Sequence, residues 1–216
     1  MTPKFAQAVD PIFLHVLDLY DRVTKGDQPS PRDEHARINA LLDQAGALVG
    51  AGQEWDLAKY ALISWIDELL VDAPWEGRDW WSNNVLEVQH FKTRLCFEQF
   101  YIRAQEASTL TRRDALEVFY ICVVLGFRGL YRDPRLSEGL ITAHGLPVDL
   151  DSWAGQVSLS IRLGQGRPPL RSGQREITGA PPLRSKNAVV WSWTAAIVLA
   201  LVNVVYFYFE FYPSIR

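Results

Sequence analysis

The sequence predicts an all-α protein, a helical domain followed by one membrane-crossing helix near the C-terminus. Three observations carry that prediction. Apolar residues recur at three- and four-residue steps through the first 144 positions. No stretch alternates over several β-branched residues between hairpin turns, so no sheet is expected. Residues 188–209 read AVVWSWTAAIVLALVNVVYFYF, 22 residues without a charge.

Taken in chain order, Phe5, Val9, Ile12, Phe13, Val16, Leu17 and Tyr20 form the apolar face of a first helix, which Pro11 is expected to interrupt or kink. Gly26-Asp27-Gln28-Pro29 is a turn. Ser30-Pro31-Arg32-Asp33 then supplies an N-cap with proline at the first helical position. The second stripe is Ile38, Leu41, Leu42, Ala45, Leu48 and Val49, ending at Gly50-Ala51-Gly52. A third helix spans about residues 55–71, with Leu57, Ala58, Ala61, Leu62, Trp65, Ile66, Leu69 and Leu70 apolar and Pro74 as its stop. Residues 75–81 read as irregular, and a fourth helix is expected over about residues 84–105. Thr111-Arg112-Arg113-Asp114 resembles a capping box opening a fifth helix over about residues 115–131. That helix is apolar almost all round, which predicts the central position. A short sixth helix fits residues 135–144.

From residue 145 to 187 the composition changes, with 11 Gly or Pro among 43 residues. This reads as a linker that hangs the residue 1–144 domain off the membrane, with room for a short helix at 151–163. The span at 188–209 covers roughly 33 Å as a helix, the thickness of a bilayer's hydrocarbon core. Trp191 and Trp193 mark one interface and Tyr206 and Tyr208 the other, since amphipathic rings settle at headgroup depth. Arg171, Arg175, Arg184 and Lys186 precede the span, whereas Glu210 and Arg216 follow it. The positive-inside rule therefore puts the N-terminal domain in the cytoplasm and residues 210–216 outside as a short tail. Asn203, the strong polar group of the span, fits either a contact with a neighbouring helix or a bond to its own backbone.

Charge narrows the partners. Residues 1–161 carry 15 basic and 23 acidic side chains, and residues 162–186 carry six basic residues against Glu176 alone. The acidic head argues against nucleic acid, which needs a cationic face. The basic stretch before the span points to membrane lipid. With 48% hydrophobic and 12% aromatic residues the chain is rich enough to build a core. Cys96 and Cys122 are far apart and outside any C-x-x-C motif, as expected of buried thiols in a reducing compartment.

Catalytic patterns are missing. His15, His35, His90 and His144 share no metal-ligand spacing, and no nucleophile elbow, P-loop or dinucleotide fingerprint occurs. No metal, no cofactor and no enzymatic activity are expected. Asp67-Glu68 sit about 100° apart on a helix and cannot face each other across a substrate. A solvated face is one reading of that pair; a polar cluster in a partner-docking cleft is the other.

Particular residues resemble a known family. Lys59-Tyr60-Ala61-Leu62, Trp65-Ile66-Asp67-Glu68 and Ala73-Pro74-Trp75 look like one signature block of the TssL/DotU (IcmH) family. Phe119-Tyr120-Ile121-Cys122, Leu125-Gly126-Phe127, Gly129 and Tyr131-Arg132 resemble a second block, and residues 91–101 a third lying between them. Cys96-Phe97 stands where the family usually has Gly-Gly, and Arg128 and Leu130 where it tends to have Glu and Arg. The resemblance implies a hook-like cytoplasmic domain of two small helical bundles. It implies a structural component of a type VI secretion system that links the inner-membrane complex to the cytoplasmic baseplate. The expected partners are a TssM/IcmF-like inner-membrane protein and TssK-like baseplate subunits, with a homodimer left open. Asp67, Glu68 and Trp75 would then lie at a partner-binding cleft. The alternatives are a type IVB DotU-like stabilising protein and a tail-anchored adaptor unrelated to secretion.

Overall fold

In a computed structural model that describes residues 1–164 and 187–211, every regular element among the described residues is helical. The chain divides into two units, Met1–Pro168 and Pro169–Arg216.

Helix α1 (Pro3–Thr24) runs unbroken through Pro11, whose ring is exposed. A mid-helix proline costs about 3 kcal/mol. Eight buried residues on one face, among them Phe5, Val9, Ile12, Phe13, Val16 and Leu19, outweigh it. The buried stripe uses Leu19 rather than Leu17, which is exposed. Helix α2 (Pro31–Val49) opens as expected, Ser30 Oγ accepting the Asp33 N–H at 3.4 Å, and closes at Gly50 with φ +96°. Its inner face is Ile38, Leu42 and Ala45, joined by Glu34, while Leu48 is exposed. Buried Glu34 is matched by Arg22 at 3.0 Å and His15 at 3.0 Å, both on α1.

Helix α3 (Gln53–Asp72) is the hub. It buries side chains on every face, from Trp55 to Leu70 and including Tyr60, Ile63, Ser64 and Asp67. Extended Ala73 ahead of Pro74 ends it. Beyond it the sequence reading needs correction twice. Residues 78–81, within the stretch expected to be irregular, belong to α4 (Arg78–Asn83), and buried Trp81 fastens it. The single fourth helix is two, α5 (Leu86–Phe91) and α6 (Cys96–Thr109), parted at Lys92, which adopts a left-handed φ of +60°.

Helix α7 (Asp114–Val124) is shorter than its apolar run. Gly126 at φ +115° ends it, and Phe127 N–H folds back to the Cys122 carbonyl at 3.0 Å. Gly129–Arg132 follow as a 3-10 turn. The expected Thr111 capping box does not form; Asp114 N–H instead donates to Glu54 at 3.2 Å, and the Asp114 carboxylate receives Thr2. The central position also belongs to α3 rather than α7, because Val124 is exposed while α3 packs against α1, α2, α4, α5, α6 and α7.

Helices α8 (Pro134–Ala143) and α9 (Leu150–Gly164) complete the unit. Composition groups α9 with the linker, yet Trp153, Val157 and Ile161 are buried and the helix packs on α7. Two bundles thus share α3, one with α1, α2 and α4, the other with α6, α7 and α9. An aromatic cluster locks the second: Phe100 stacks on Phe127 at 4.0 Å, and Tyr101 meets Tyr131 and Trp153 edge-on at 4.9 and 5.2 Å.

In the second unit, α10 (Asn187–Phe211) is one continuous helix, about 38 Å long. Val190–Tyr208 has a mean hydropathy of 1.8 and is long and apolar enough to cross a membrane. Trp191, Trp193, Tyr206 and Tyr208 are exposed. Asn203 Nδ2 donates to the Leu199 carbonyl of its own helix at 3.4 Å.

Candidate functional site

The C-terminal half of α3 carries the polar residues that the sequence singles out, and their roles diverge. Asp67 points inward and is 3% exposed. Its carboxylate accepts Trp81 Nε1–H at 3.0 Å, Leu86 N–H at 3.0 Å and Glu87 N–H at 2.8 Å. It therefore ties α4 to α3 and holds the first-turn amides of α5, donors that a helix start leaves unpaired. Burial pushes the Asp67 carboxyl up to about 7, against the pull of its three donors. So Asp67 is an internal brace with almost no surface of its own, not part of a solvated face.

Glu87 continues the chain of braces. It is 2% exposed, and its Oε1 accepts Thr93 Oγ1–H at 2.7 Å, Leu95 N–H at 2.9 Å and the Tyr60 hydroxyl at 3.1 Å. Burial, then the Glu87 charge, pushes Tyr60 above its ordinary value, and the Arg103 guanidinium lies 4.0 Å over the Tyr60 ring. Nothing in the sequence around Glu87 marks it, since its partners come from residues 60, 93 and 95, gathered only by the fold.

Glu68 faces the other way. Its two oxygens accept Arg128 N–H at 2.8 Å and Gly129 N–H at 3.0 Å, and Arg132 Nη2 lies 3.2 Å away. Arg132 also grips Asp72 with both terminal nitrogens, Nη1–Oδ1 at 3.0 Å. That bond, then the Glu68 charge, raises Arg132 above its usual range despite some burial. Glu68 thus fastens the turn after α7 to α3, and the ridge it builds with Asp72 and Arg132 divides a cleft.

On one side of this ridge lies a hollow of about 290 Å³ walled by Leu17, Tyr20, Trp65, Leu69, Leu125 and Phe127. On the other, a hollow of about 320 Å³ is walled by Val71, Val85, Cys96, Phe97 and Gly129, and Asp67 also lines it. Glu68 and Asp72 border both. Phe97 is 41% exposed at the rim, so an aromatic face stands in solvent there. Burial pushes the Cys96 thiol up, with Glu87 and Asp67 adding to it, which favours its protonated form. Trp75 stands apart from both hollows. It is 6% exposed, donates Nε1–H to the Leu70 carbonyl at 2.9 Å and packs its ring 6.3 Å from Trp81.

The arrangement braces and presents surface. Among the described residues no three His, Cys, Asp or Glu side chains gather to hold a metal ion. Comparison with protein families decides what kind of protein this is: residues 4–212 match the type VI secretion system protein DotU. The chain belongs to the DotU family. The cytoplasmic domain of TssL from Acinetobacter baumannii has a similar fold, with a TM-score of 0.58 and 22% identity. That match covers 74% of the DotU-family chain and 98% of the TssL domain. Curated proteins give no match.

The chain is accordingly a DotU-type component of a type VI secretion system, one of a family of structural parts. The type IVB alternative is not favoured. Its helical domain and its one apolar C-terminal helix are consistent with an inner-membrane anchor and with a place in the secretion system's membrane complex.

Proposed function

We propose that this DotU-family chain is a single-pass inner-membrane protein that links the membrane complex of the secretion system to its cytoplasmic baseplate. The two-hollow cleft on α3 is the docking face. Its apolar walls offer burial to two side chains of a partner, and the Glu68–Arg132–Asp72 ridge between them fixes orientation. Asp67, which lines the second hollow, and Trp75, which lies behind it, hold α4 and α5 where the wall residue Val85 needs them. The baseplate partner is TssK-like, and α10 packs in the bilayer beside a TssM/IcmF-like protein. The single observation that carries the reading is the ridge itself: three ionisable side chains joined between two apolar hollows.

Capture of the full chain from detergent-solubilised membranes tests it. A TssM-like protein and baseplate subunits should come down together, and Phe97→Ser should lose the baseplate subunits while keeping the TssM-like protein. Absence of both from the wild-type capture defeats the proposal, and retention of baseplate subunits by Phe97→Ser moves the docking face elsewhere.

A further inference from the structure

Helix α9 spends one face on α7 and leaves the opposite one unpartnered in the fold. Trp153, Val157 and Ile161 are buried. Leu159 is 58% and Leu163 73% exposed, and Arg162 is exposed beside them. Positions i, i+3 and i+4 share one side of a helix, so the three form a single edge. More positive charge stands at the same end. A Cβ built on Gly164 would meet Arg113 Cγ at 2.4 Å, which puts the 110–113 loop against the last turn of α9, and neighbouring Arg112 is exposed.

Carboxylates at this end have partners within the unit, Glu106 at an exposed position. Asp114 receives Thr2, Glu54 receives the Asp114 N–H and feels the Arg112 charge, and Glu106 receives Gln53 at 2.7 Å. Glu117 is held by the N-terminal ammonium.

We infer that the Leu159–Arg162–Leu163 edge of α9 is a second membrane contact, one that lies on the surface of an anionic bilayer while α10 crosses it. Two leucines flanking an arginine, with exposed Arg112 nearby, is the chemistry of interfacial insertion: apolar tips enter the acyl boundary and the exposed guanidinium groups take lipid phosphates, whereas Arg113 is spent on the Ser108 and Leu110 carbonyls. The occupant is lipid rather than protein for two reasons. Between Gly164 and Asn187 the sequence adds Arg167, Arg171, Arg175, Arg184 and Lys186 against Glu176, so positive charge is continuous from α9 to the apolar helix. Covalent geometry also limits the reach of those 22 residues to roughly 80 Å. A tether of that length raises the effective concentration of bilayer at α9, so an edge too small to bind vesicles alone can still engage.

This inference rests on the anchoring part of the proposed function, and its test separates the two. The full chain is reconstituted with an environment-sensitive fluorophore on Leu163→Cys in a Cys96→Ser background, Cys122 being buried. Leu14→Cys on α1, 68% exposed, is the control position. Brominated lipid should quench the Leu163 probe about threefold more in bilayers with roughly one-third phosphatidylglycerol than in pure phosphatidylcholine, and the control probe equally in both. Arg162→Glu or Leu159→Ser should remove most of that difference. Equal quenching of the two probes overturns the inference, as does indifference to both substitutions. Shielding of Leu163 that appears in detergent and grows with protein concentration assigns the edge to a second copy and also overturns it. Alkaline carbonate extraction is run in parallel: release of the chain refutes the anchor, whereas retention without selective quenching refutes the α9 contact alone.

Discussion

Asp67 and Glu87, two buried carboxylates twenty positions apart, are joined directly: the Glu87 N–H donates to Asp67 Oδ2 at 2.8 Å. One carboxylate holds the start of α5 and the other, carried on α5, holds the start of α6. The wall of the cleft is thus hung on α3 through a chain of two charges, and disturbing the first should be felt at the second.

Replacing Asp67 with alanine leaves two amides and an indole N–H without acceptors in a buried site. Each orphaned donor costs about 1–3 kcal/mol, with partial relief from local movement, so a total loss of roughly 3 kcal/mol is expected. Urea unfolding of the full chain in detergent, followed by helical circular dichroism, measures it. Baseplate capture should fall with stability. Lost capture at unchanged stability would make Asp67 a direct contact instead.

The pH dependence of that site has a definite sign. The Asp67 carboxyl is raised in the fold to about 7 from an ordinary value of 3.8. Between those values the native state binds the extra proton, so this group's contribution is complete below pH 3.8 and is lost as pH rises through 7. The slope reaches about 1.4 kcal/mol per pH unit for one proton. His35 and His90, lowered chiefly by burial, work in the opposite sense below their ordinary value. The difference between wild type and Asp67→Asn cancels the histidines. The stability gap between the two proteins should narrow from pH 5 to pH 8, and a constant gap would show the carboxylate ionised throughout.

Glu68→Ala should act locally. It frees the Arg128 and Gly129 amides and strips Arg132 of one of its two anions. Both amides stand at the surface end of the ridge, so water can replace the carboxylate and the global loss should be about 1–2 kcal/mol. Hydrogen exchange should quicken over residues 126–132 and leave α1 and α2 unchanged.

Gly129 tolerates no side chain. Its φ is +48°, and an added Cβ would lie 2.7 Å from the Phe97 carbonyl oxygen and 2.9 Å from the Phe127 ring. Left-handed strain and a backbone clash together predict a loss of about 2–3 kcal/mol for Gly129→Ala. The Phe97 wall must shift to admit the methyl, so baseplate capture should weaken more than in a surface variant of equal stability.

The anchor is tested by charge. Arginine at Leu199 and Val202 together adds roughly 5–7 kcal/mol to the insertion of α10 at bilayer depth. The double variant should appear in the soluble fraction after carbonate treatment, whereas the wild type should stay with the membranes.

Much of the chain is legible without coordinates, for reasons that are local. The Ser30–Pro31 start of α2, the stop of α3 at Pro74 and the uncharged run of α10 depend on a few neighbouring residues, so they can be read directly. The misreadings are also instructive. Residues 84–105 carry no proline, and the break at Lys92 exists because Glu87 claims the Leu95 amide for a second helix start. The apolar run of α7 promises a centre, but the centre went to α3, whose buried polar residues all have partners: Asp67 and Tyr60 from distant segments, Ser64 from the Tyr60 carbonyl of its own helix.

By itself, then, the sequence determined an all-α chain, the place of most helices, an apolar C-terminal span and the family, because propensity, capping and hydropathy act over a handful of residues. Tertiary structure alone decided which carboxylate is buried and which builds the ridge. Asp67 and Glu68 are adjacent and chemically alike, and only the helices that pack on either side of α3 tell them apart.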